Sequence, residues 1–295
     1  MYDACMIYQK LWFFFFFTVF SMQSFGELSL LQEFQQVGYK EFCDMSHGFS
    51  DFDSLYASFD ECIQFLQTNK SWQHTLYHAK ERFIRTKNKD YYGTDFFGFY
   101  DESQHLIRSQ ISFYYATDFH QFITTYYPEI CKIPEIINFF EKCFEIQKSY
   151  EQIFLQAAMQ LGLESLFSLS NNHVPILFKV VKYLPSYKVQ KPHYDGTAFS
   201  LFLDSTDNQS LLLSPYKRLF FVDDFFSPVR QCLRSDCQNS ILLIPGSLLT
   251  DFLIFPTPHI VIQSGKTRYA TIAFAMRPFY RFSKYELSDL SNLKD

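Results

Sequence analysis

Residues 191–203 read KPHYDGTAFSLFL, a polar turn that leads directly into a β-rich segment, Ala198 to Leu203. Alternate side chains of an extended chain point the same way, so the imidazole of His193 and the carboxylate of Asp195 can converge on one point. These groups are two members of the 2-His-1-carboxylate set that binds non-haem Fe(II). The chain has eight histidines, so a His-x-Asp also arises by chance, and a surface turn is the alternative interpretation of His193.

A distant strand can supply the third ligand and a binding group. His259 follows Pro258 and begins a predicted strand, which makes it the candidate second histidine. Nine residues later, Arg268 opens an otherwise apolar strand. A buried guanidinium needs an anionic partner, and a planar bidentate donor near a metal suits the far carboxylate of a dicarboxylate cosubstrate. The alternative interpretation of Arg268 is a structural salt bridge to an Asp or Glu.

Short β-rich runs follow one another after residue 172 and are separated by polar turns rather than by helices. The predicted strands are Ile176 to Val181, Ala198 to Leu203, Ser210 to Leu213, Leu219 to Val222, Ile241 to Ile244, Ile260 to Gln263 and Tyr269 to Ala275. This order favours an antiparallel sandwich or jelly roll packed against a helical layer. The sequence has no Gly-x-Gly-x-x-Gly or Walker-type loop, which disfavours a parallel nucleotide-binding sheet.

The first half of the chain has helical periodicity. Short helices are predicted over Leu28 to Val37 and over 52–66, the latter after a capping-box-like Ser50-x-x-Asp53. The longest pattern runs from Pro134, which suits a first helical turn, to Leu161, and Gly162 suits the position after its end. Its predicted buried stripe comprises Ile137, Phe140, Phe144, Ile153, Phe154, Ala157 and Leu161.

Composition and charge narrow the class of protein. The 295 residues are 47% hydrophobic and 20% aromatic, which predicts a globular chain with a large core. Its net charge of −5 provides no basic face for phosphates, so we expect a small-molecule partner and no nucleic acid. Seven dispersed cysteines without a Cys-x-x-Cys pair are typical of reduced thiols, which predicts a cytoplasmic protein.

Residues 1–26 form an apolar N-terminal extension, with a mostly apolar run from Leu11 to Met22. Three interpretations are open: translation truly starts at Met22, the segment is a loosely packed extension, or it is a signal or anchor. Later segments are too short to span a membrane, and none is expected to. We predict one domain over 27–295, with a helical part (27–172) and a jelly-roll core (173–280).

Several motifs occur along the chain in one order. They are Gly38-Tyr39, Ser46-His47-Gly48, the long helix ending Leu161-Gly162-Leu163, Phe178 to Pro185 closing in Tyr-Leu-Pro, His193 to Leu201, Pro245 to Leu249, Pro258 to Val261, and Arg268. This order resembles the 2-oxoglutarate- and Fe(II)-dependent oxygenases, in the branch that includes isopenicillin N synthase and 1-aminocyclopropane-1-carboxylate oxidase. The resemblance extends over nearly the whole chain from about Leu28 to Pro278.

The resemblance implies a mainly β fold with α-helices: a double-stranded β-helix (jelly roll) core flanked by N-terminal helices, one of them long. It also implies a site. Fe(II) would be held by His193, Asp195 and His259. 2-Oxoglutarate would chelate the metal through its 1-carboxylate and 2-keto oxygen, and its far carboxylate would bind Arg268 and the hydroxyl of Tyr183. O₂ would take the last open position, and a small substrate would be hydroxylated, desaturated or cyclised.

The chain also departs from the family pattern. The Arg-x-Ser that holds 2-oxoglutarate reads Arg268-Tyr269-Ala270, and the Arg that usually follows the second His is Ile260. Asp195 and His259 are separated by 63 residues, more than is usual in the family, and the excess falls in the polar loop Asp223 to Asn239. Two alternatives therefore stay open: an isopenicillin N synthase-like Fe(II) oxidase that does not use 2-oxoglutarate, and a catalytically inactive binding protein on the same fold.

Overall fold

The structure, a computed structural model, describes residues 29–42, 51–86, 92–104, 109–167, 174–185, 193–206, 210–213, 227–228, 241–262 and 265–276. The extension 1–26, His47 and the predicted strand Leu219 to Val222 lie outside the described residues, as does most of the loop Asp223 to Asn239. The assignment of a single domain to residues 27–295 stays a prediction.

Five helices are described: α1 (Leu30–Gln36), α2 (Phe52–Thr68), α3 (Lys70–Ile84), α4 (Thr117–Tyr126) and α5 (Pro134–Gln160). Pro134 opens α5, and Gly162 follows its end with φ +69°, as predicted. The cap of α2 was predicted at Ser50, but it lies one residue later. Asp51 is the N-cap and accepts a hydrogen bond from the Ser54 N–H. Among the described residues, no helix combines the length and apolar character needed to cross a membrane.

Among the described residues, ten strands form two antiparallel sheets. They are β1 (Lys40–Phe42), β2 (Gly98–Glu102), β3 (Gln110–Tyr115), β4 (Ile176–Tyr183), β5 (Phe199–Ser205), β6 (Leu211–Leu213), β7 (Ser227–Pro228), β8 (Ile241–Pro245), β9 (His259–Val261) and β10 (Arg268–Ala275). The major sheet has the order β1-β8-β5-β10-β4-β3-β2, and the minor sheet has the order β7-β6-β9. The prediction of a jelly-roll core flanked by N-terminal helices, one of them long, is confirmed.

Three strands of the major sheet come from the half of the chain that we predicted to be helical. β1 pairs with β8, while β3 pairs with β4 and β2 extends the sheet beyond β3. β1 and β8, like β3 and β4, are far apart in sequence, so local periodicity alone could not show these two pairings. β2 and β3 pair locally, and our prediction missed both strands. The helical description of 27–172 is therefore incomplete.

One face of the major sheet packs on the helices. Phe113 of β3 meets the rings of Phe139 and Phe140 in α5 at centroid distances of 5.2 and 5.3 Å, and Phe139 stacks on Phe59 of α2 at 5.1 Å. The predicted stripe of α5 is partly wrong, since Phe144 is 40% exposed. Phe139, Phe140 and Cys143 are buried instead. With 3.6 residues per turn, Cys143 lies on the same face of the helix as Phe139 and Phe140.

The other face of the major sheet lines the interior between the two sheets. Its apolar cluster is formed by Val181, Tyr183, Phe202, Leu213, Leu242, Ile244, Ala270 and Ile272. Side chains of β10 alternate, so Ala270 and Ile272 face this interior whereas Ala273 and Ala275 face the helices. The interior is the place in the fold where β9 and the start of β10 present their polar side chains.

We predict that Phe140→Ala destabilises the protein far more than Phe144→Ala, one turn along the same helix. Phe140 is buried against four aromatic neighbours, so its truncation leaves a cavity and should lower the free energy of unfolding by about 3–5 kcal/mol. Phe144→Ala is the matched control, and it should lower the free energy of unfolding by less than about 1 kcal/mol. Urea unfolding measures both variants, and equal losses would contradict this assignment of the α5 faces.

Candidate metal centre

A backbone bridge brings the two candidate histidine ligands together. The N–H of His193 donates to the carbonyl of His259 at 3.0 Å, and the N–H of His259 donates to the carbonyl of His193 at 3.0 Å. This antiparallel pairing leaves the two imidazole centroids 4.2 Å apart. Residues 66 positions apart in sequence thus become cross-strand neighbours on one face.

Asp195 completes a three-residue cluster. Its Oδ1 lies 3.8 Å from Nε2 of His193 and 3.6 Å from Nε2 of His259, and one ligand atom of each residue lies within 4.8 Å of the others. Its Oδ2 is buried and accepts no hydrogen bond from any residue that the structure describes. A buried carboxylate oxygen without a donor is costly, so the chemistry of this cluster fits a bound cation.

The orientation of His259 suits a metal ligand. Its side chain is 2% exposed, and its Nδ1 lies 3.2 Å from the carbonyl oxygen of Thr257. Because a carbonyl can only accept, Nδ1 is the donor in this contact, which leaves Nε2, on the side of Asp195, as the nitrogen that can bind a metal. The ring of Phe202 packs edge-on against the imidazole at 5.7 Å and adds an apolar wall.

Tyr194 lies between two of the clustered residues in sequence but has a different role. Successive side chains of an extended segment point in opposite directions, and the Tyr194 side chain is buried. Burial raises the pKa of Tyr194 to about 12, so its phenol stays neutral at physiological pH. Of the tripeptide, only His193 and Asp195 belong to the cluster.

Arg268 and Tyr183 are neighbours across β10 and β4, and both side chains are 3% exposed. The guanidinium carbon of Arg268 lies 3.7 Å from the centroid of the Tyr183 ring, and Nη2 donates to the carbonyl of Ile262 at 3.2 Å. Stacking on the ring fixes the plane of the guanidinium. Both predicted cosubstrate residues therefore lie together on the interior side of the major sheet.

Sequence reasoning missed two polar residues beside this pair. Gln110 pairs with Tyr183 across β3 and β4, and Ser112 is two residues further along β3. Both are buried, and Ser112 Oγ has no hydrogen-bond partner among the described residues. The signal was the alternation of polar residues in the strand QISFYY, which places Gln110 and Ser112 on the same face. Ala270, at the position of the family Ser, is buried and provides no hydroxyl.

No family model matches this chain, and no curated protein matches its sequence significantly. Its structure is similar to a 2OG-Fe(II) oxygenase family protein from Caulobacter crescentus, with a TM-score of 0.51 and 14% identity over 84% of this chain and 80% of that one. It is also similar to dioxygenase for auxin oxidation 1 from Arabidopsis thaliana, solved as its 2-oxoglutarate binary complex (TM-score 0.51, 15% identity, 86% and 91% covered). JOX2, solved with 2OG, Fe and JA, has a TM-score of 0.51 at 14% identity (84% and 70% covered). The chain therefore has the fold of the 2-oxoglutarate and Fe(II) oxygenases, as the sequence resemblance implied.

We predict that Gly246→Ala disrupts the segment that carries Asp195. A Cβ at position 246 would lie 2.5 Å from Thr197 Oγ1 and closer still to the Thr197 carbonyl oxygen, and the neighbouring Ser247 N–H holds the Asp195 carbonyl at 2.9 Å. We expect the free energy of unfolding to fall by about 3 kcal/mol.

The control for this prediction is Gly162→Ala, which meets no atom within 4 Å. Because alanine is strained at the φ of +69° of this position, Gly162→Ala should lower the free energy of unfolding by about 1 kcal/mol. Chemical denaturation compares the two variants. If Gly246→Ala lowers the free energy of unfolding less than Gly162→Ala does, the backbones of Gly246 and Thr197 are not in close contact.

Proposed function

We propose that this protein is a non-haem Fe(II)- and 2-oxoglutarate-dependent oxygenase that acts on a small molecule. The observation that carries the proposal is the convergence of His193, Asp195 and His259 on a jelly roll, with His259 buried and the other two side chains partly exposed. Two imidazoles and one carboxylate are the ligand set of Fe(II) oxygenases and leave coordination positions for substrates. The buried Oδ2 of Asp195 and the lone pair of His259 Nε2 support this ligand assignment.

The bound metal would supply the activation of O₂ and the oxidation of a substrate C–H bond, while 2-oxoglutarate is converted to succinate and CO₂. The residues of the chain bind and orient. Arg268 would bind the far carboxylate of 2-oxoglutarate, and Tyr183 would hold the guanidinium in plane and offer its hydroxyl. Phe202 and the apolar lining of the interior would exclude water from the reacting centre.

Solved structures of the same fold support the choice of cosubstrate. The Arabidopsis dioxygenase was solved with 2-oxoglutarate, and JOX2 was solved with 2OG, Fe and the small molecule JA. We extend the same ligand classes to this chain: Fe(II), 2-oxoglutarate and a small organic substrate. Hydroxylation, desaturation and cyclisation are the reactions open to such a centre.

A second candidate function is an Fe(II) oxidase that does not use 2-oxoglutarate. Ala270 favours it, because its buried methyl group provides no hydroxyl beside Arg268. The loss of one neutral hydrogen bond costs about 0.5–1.5 kcal/mol, whereas a charge-assisted contact with Arg268 is worth about 1.5–3 kcal/mol. The balance favours continued binding of 2-oxoglutarate, with weaker affinity.

We also propose a reducing compartment, the cytoplasm, as the site of action. Cys62, Cys131 and Cys143 are free thiols, and burial raises the pKa of the Cys62 and Cys143 thiols. Such thiols are inert structural groups. A reducing compartment also keeps iron in the ferrous state.

Anaerobic titration of Fe(II) followed by 2-oxoglutarate tests the proposal. We expect stoichiometric Fe(II) binding and a weak metal-to-ligand charge-transfer band when 2-oxoglutarate is added, and both should vanish in His193→Ala. His78→Ala, which changes an exposed histidine on α3, is the matched control and should behave like the wild type. Fe(II) binding without the band would favour the second candidate function, and failure of the wild type to bind Fe(II) would overturn the enzyme assignment.

Arg268→Lys tests the cosubstrate residue separately from the metal. Lysine keeps the charge but loses the planar bidentate donor and the stacking on Tyr183, so the Kd for 2-oxoglutarate should rise about 10-fold to 100-fold while Fe(II) affinity stays unchanged. Arg82→Lys is the control, since Arg82 packs over the Tyr126 ring on α4. An unchanged Kd in Arg268→Lys would remove Arg268 from the cosubstrate site.

A further inference from the structure

Thr257 connects the candidate ligand His259 to the segment between α1 and β1. Its side chain is fully buried, and its hydroxyl donates to the carbonyl of Gly38 at 2.5 Å. Its backbone N–H donates to the carbonyl of Pro245 at 3.2 Å, and its own carbonyl accepts from Nδ1 of His259. Hydrogen bonds of its hydroxyl, its backbone N–H and its carbonyl therefore fix the position of Thr257.

Gly38 is suited to this contact by its shape and its conformation. A Cβ at position 38 would lie 3.1 Å from Thr257 Oγ1 and 3.2 Å from Thr257 Cγ2, and the backbone has φ +87°. Glycine adopts this region without the cost that a side chain brings. The Gly38 N–H donates to the carbonyl of Glu33 in α1 at 3.1 Å, so the acceptor of the Thr257 hydroxyl is itself anchored to a helix.

The position of the Thr257 carbonyl decides what His259 can do. The carbonyl holds the proton on Nδ1, so Nε2 faces Asp195 Oδ1 at 3.6 Å with its lone pair available. If the hydroxyl were removed, the peptide that bears this carbonyl would lose its link to Gly38. The imidazole would then sample other rotations about its side-chain torsions, and fewer of them would direct Nε2 to the centre.

We infer that Thr257 is a positioning residue for His259, and that Gly38 provides the fixed point against which it acts. This inference rests on the proposed metal centre. It assigns a functional role to the Gly38 segment, which lies 219 residues away from Thr257 in sequence. A residue that orients a ligand in this way typically changes metal affinity by about 10-fold to 100-fold when it is altered.

Titration of the full chain with Co(II) alone, without any organic cosubstrate, tests the inference. The visible bands of Co(II) report both affinity and coordination geometry. Thr257→Val keeps the shape of the side chain but removes the hydroxyl, and we expect its Kd for Co(II) to rise about tenfold with altered visible bands. Thr257→Ser restores the hydroxyl, and we expect affinity and spectrum close to those of the wild type.

Thr271→Val is the matched control. Thr271 is also fully buried, and its hydroxyl donates to Tyr56 at 3.1 Å on the helix side of β10. This variant loses a comparable hydrogen bond away from the centre, so we expect its Co(II) affinity and bands to match the wild type. Thermal unfolding of each variant without metal confirms that folded proteins are compared.

The outcomes separate the inference from the proposed function. Wild-type protein that takes up no Co(II) would overturn the metal centre itself. Co(II) binding that is equally strong in the wild type and in Thr257→Val would overturn the role of Thr257 alone, as would an equal loss in Thr257→Val and Thr271→Val. If Thr257→Val does not fold, Thr257→Ala, which lacks the hydroxyl and adds no bulk, takes its place in the same comparison.

Discussion

The reciprocal hydrogen bonds between the backbones of His193 and His259 are the contact on which the site depends. They fix two imidazoles side by side, and Asp195 joins them because it is two residues along the same extended segment. The backbone pairing therefore brings the three residues together, and the Thr257 carbonyl orients the His259 imidazole. A half-buried carboxylate whose Oδ2 is buried without a donor, beside two ring nitrogens, is electrostatically incomplete, and a cation is the species that completes it.

The two faces of the major sheet have different roles: one packs against the helices, and the other carries the residues of the candidate site. One face packs aromatic side chains against α2 and α5, where rings such as Phe113 and Phe139 bury large apolar areas. The opposite face is lined by the interior cluster and carries Arg268 and Tyr183. Because both faces belong to the same strands, the packing of the helices holds the strands that position the interior groups. The Gly246 approach to Thr197 adds a second, local constraint close to Asp195.

Much of the fold and of the candidate site could be predicted from the sequence, and most of the misses depend on contacts between segments that are far apart in the chain. The α5 helix and the predicted strands that fall within the described residues have strong local periods, and their types were predicted correctly. The predicted strand Leu219 to Val222 lies outside the described residues, and β7 was not predicted. β1 was missed because its partner β8 lies some 200 residues away, and Phe144 was placed inside because the outer limit of an amphipathic stripe depends on what packs against it. Gln110 and Ser112 were missed because their position beside Tyr183 follows from the pairing of β3 with β4.

The sequence by itself determined the jelly-roll class and singled out His193, Asp195, His259 and Arg268, because strand period and residue chemistry are local properties, and the family resemblance added Tyr183. Only the tertiary structure decided how these groups are arranged. The proton on Nδ1 of His259, the buried and unsatisfied Oδ2 of Asp195 and the stacking of Arg268 on Tyr183 each depend on atoms from separate strands or segments. The contact between Gly38 and Thr257 is the clearest case, because no local pattern relates two residues that meet only when the chain has folded.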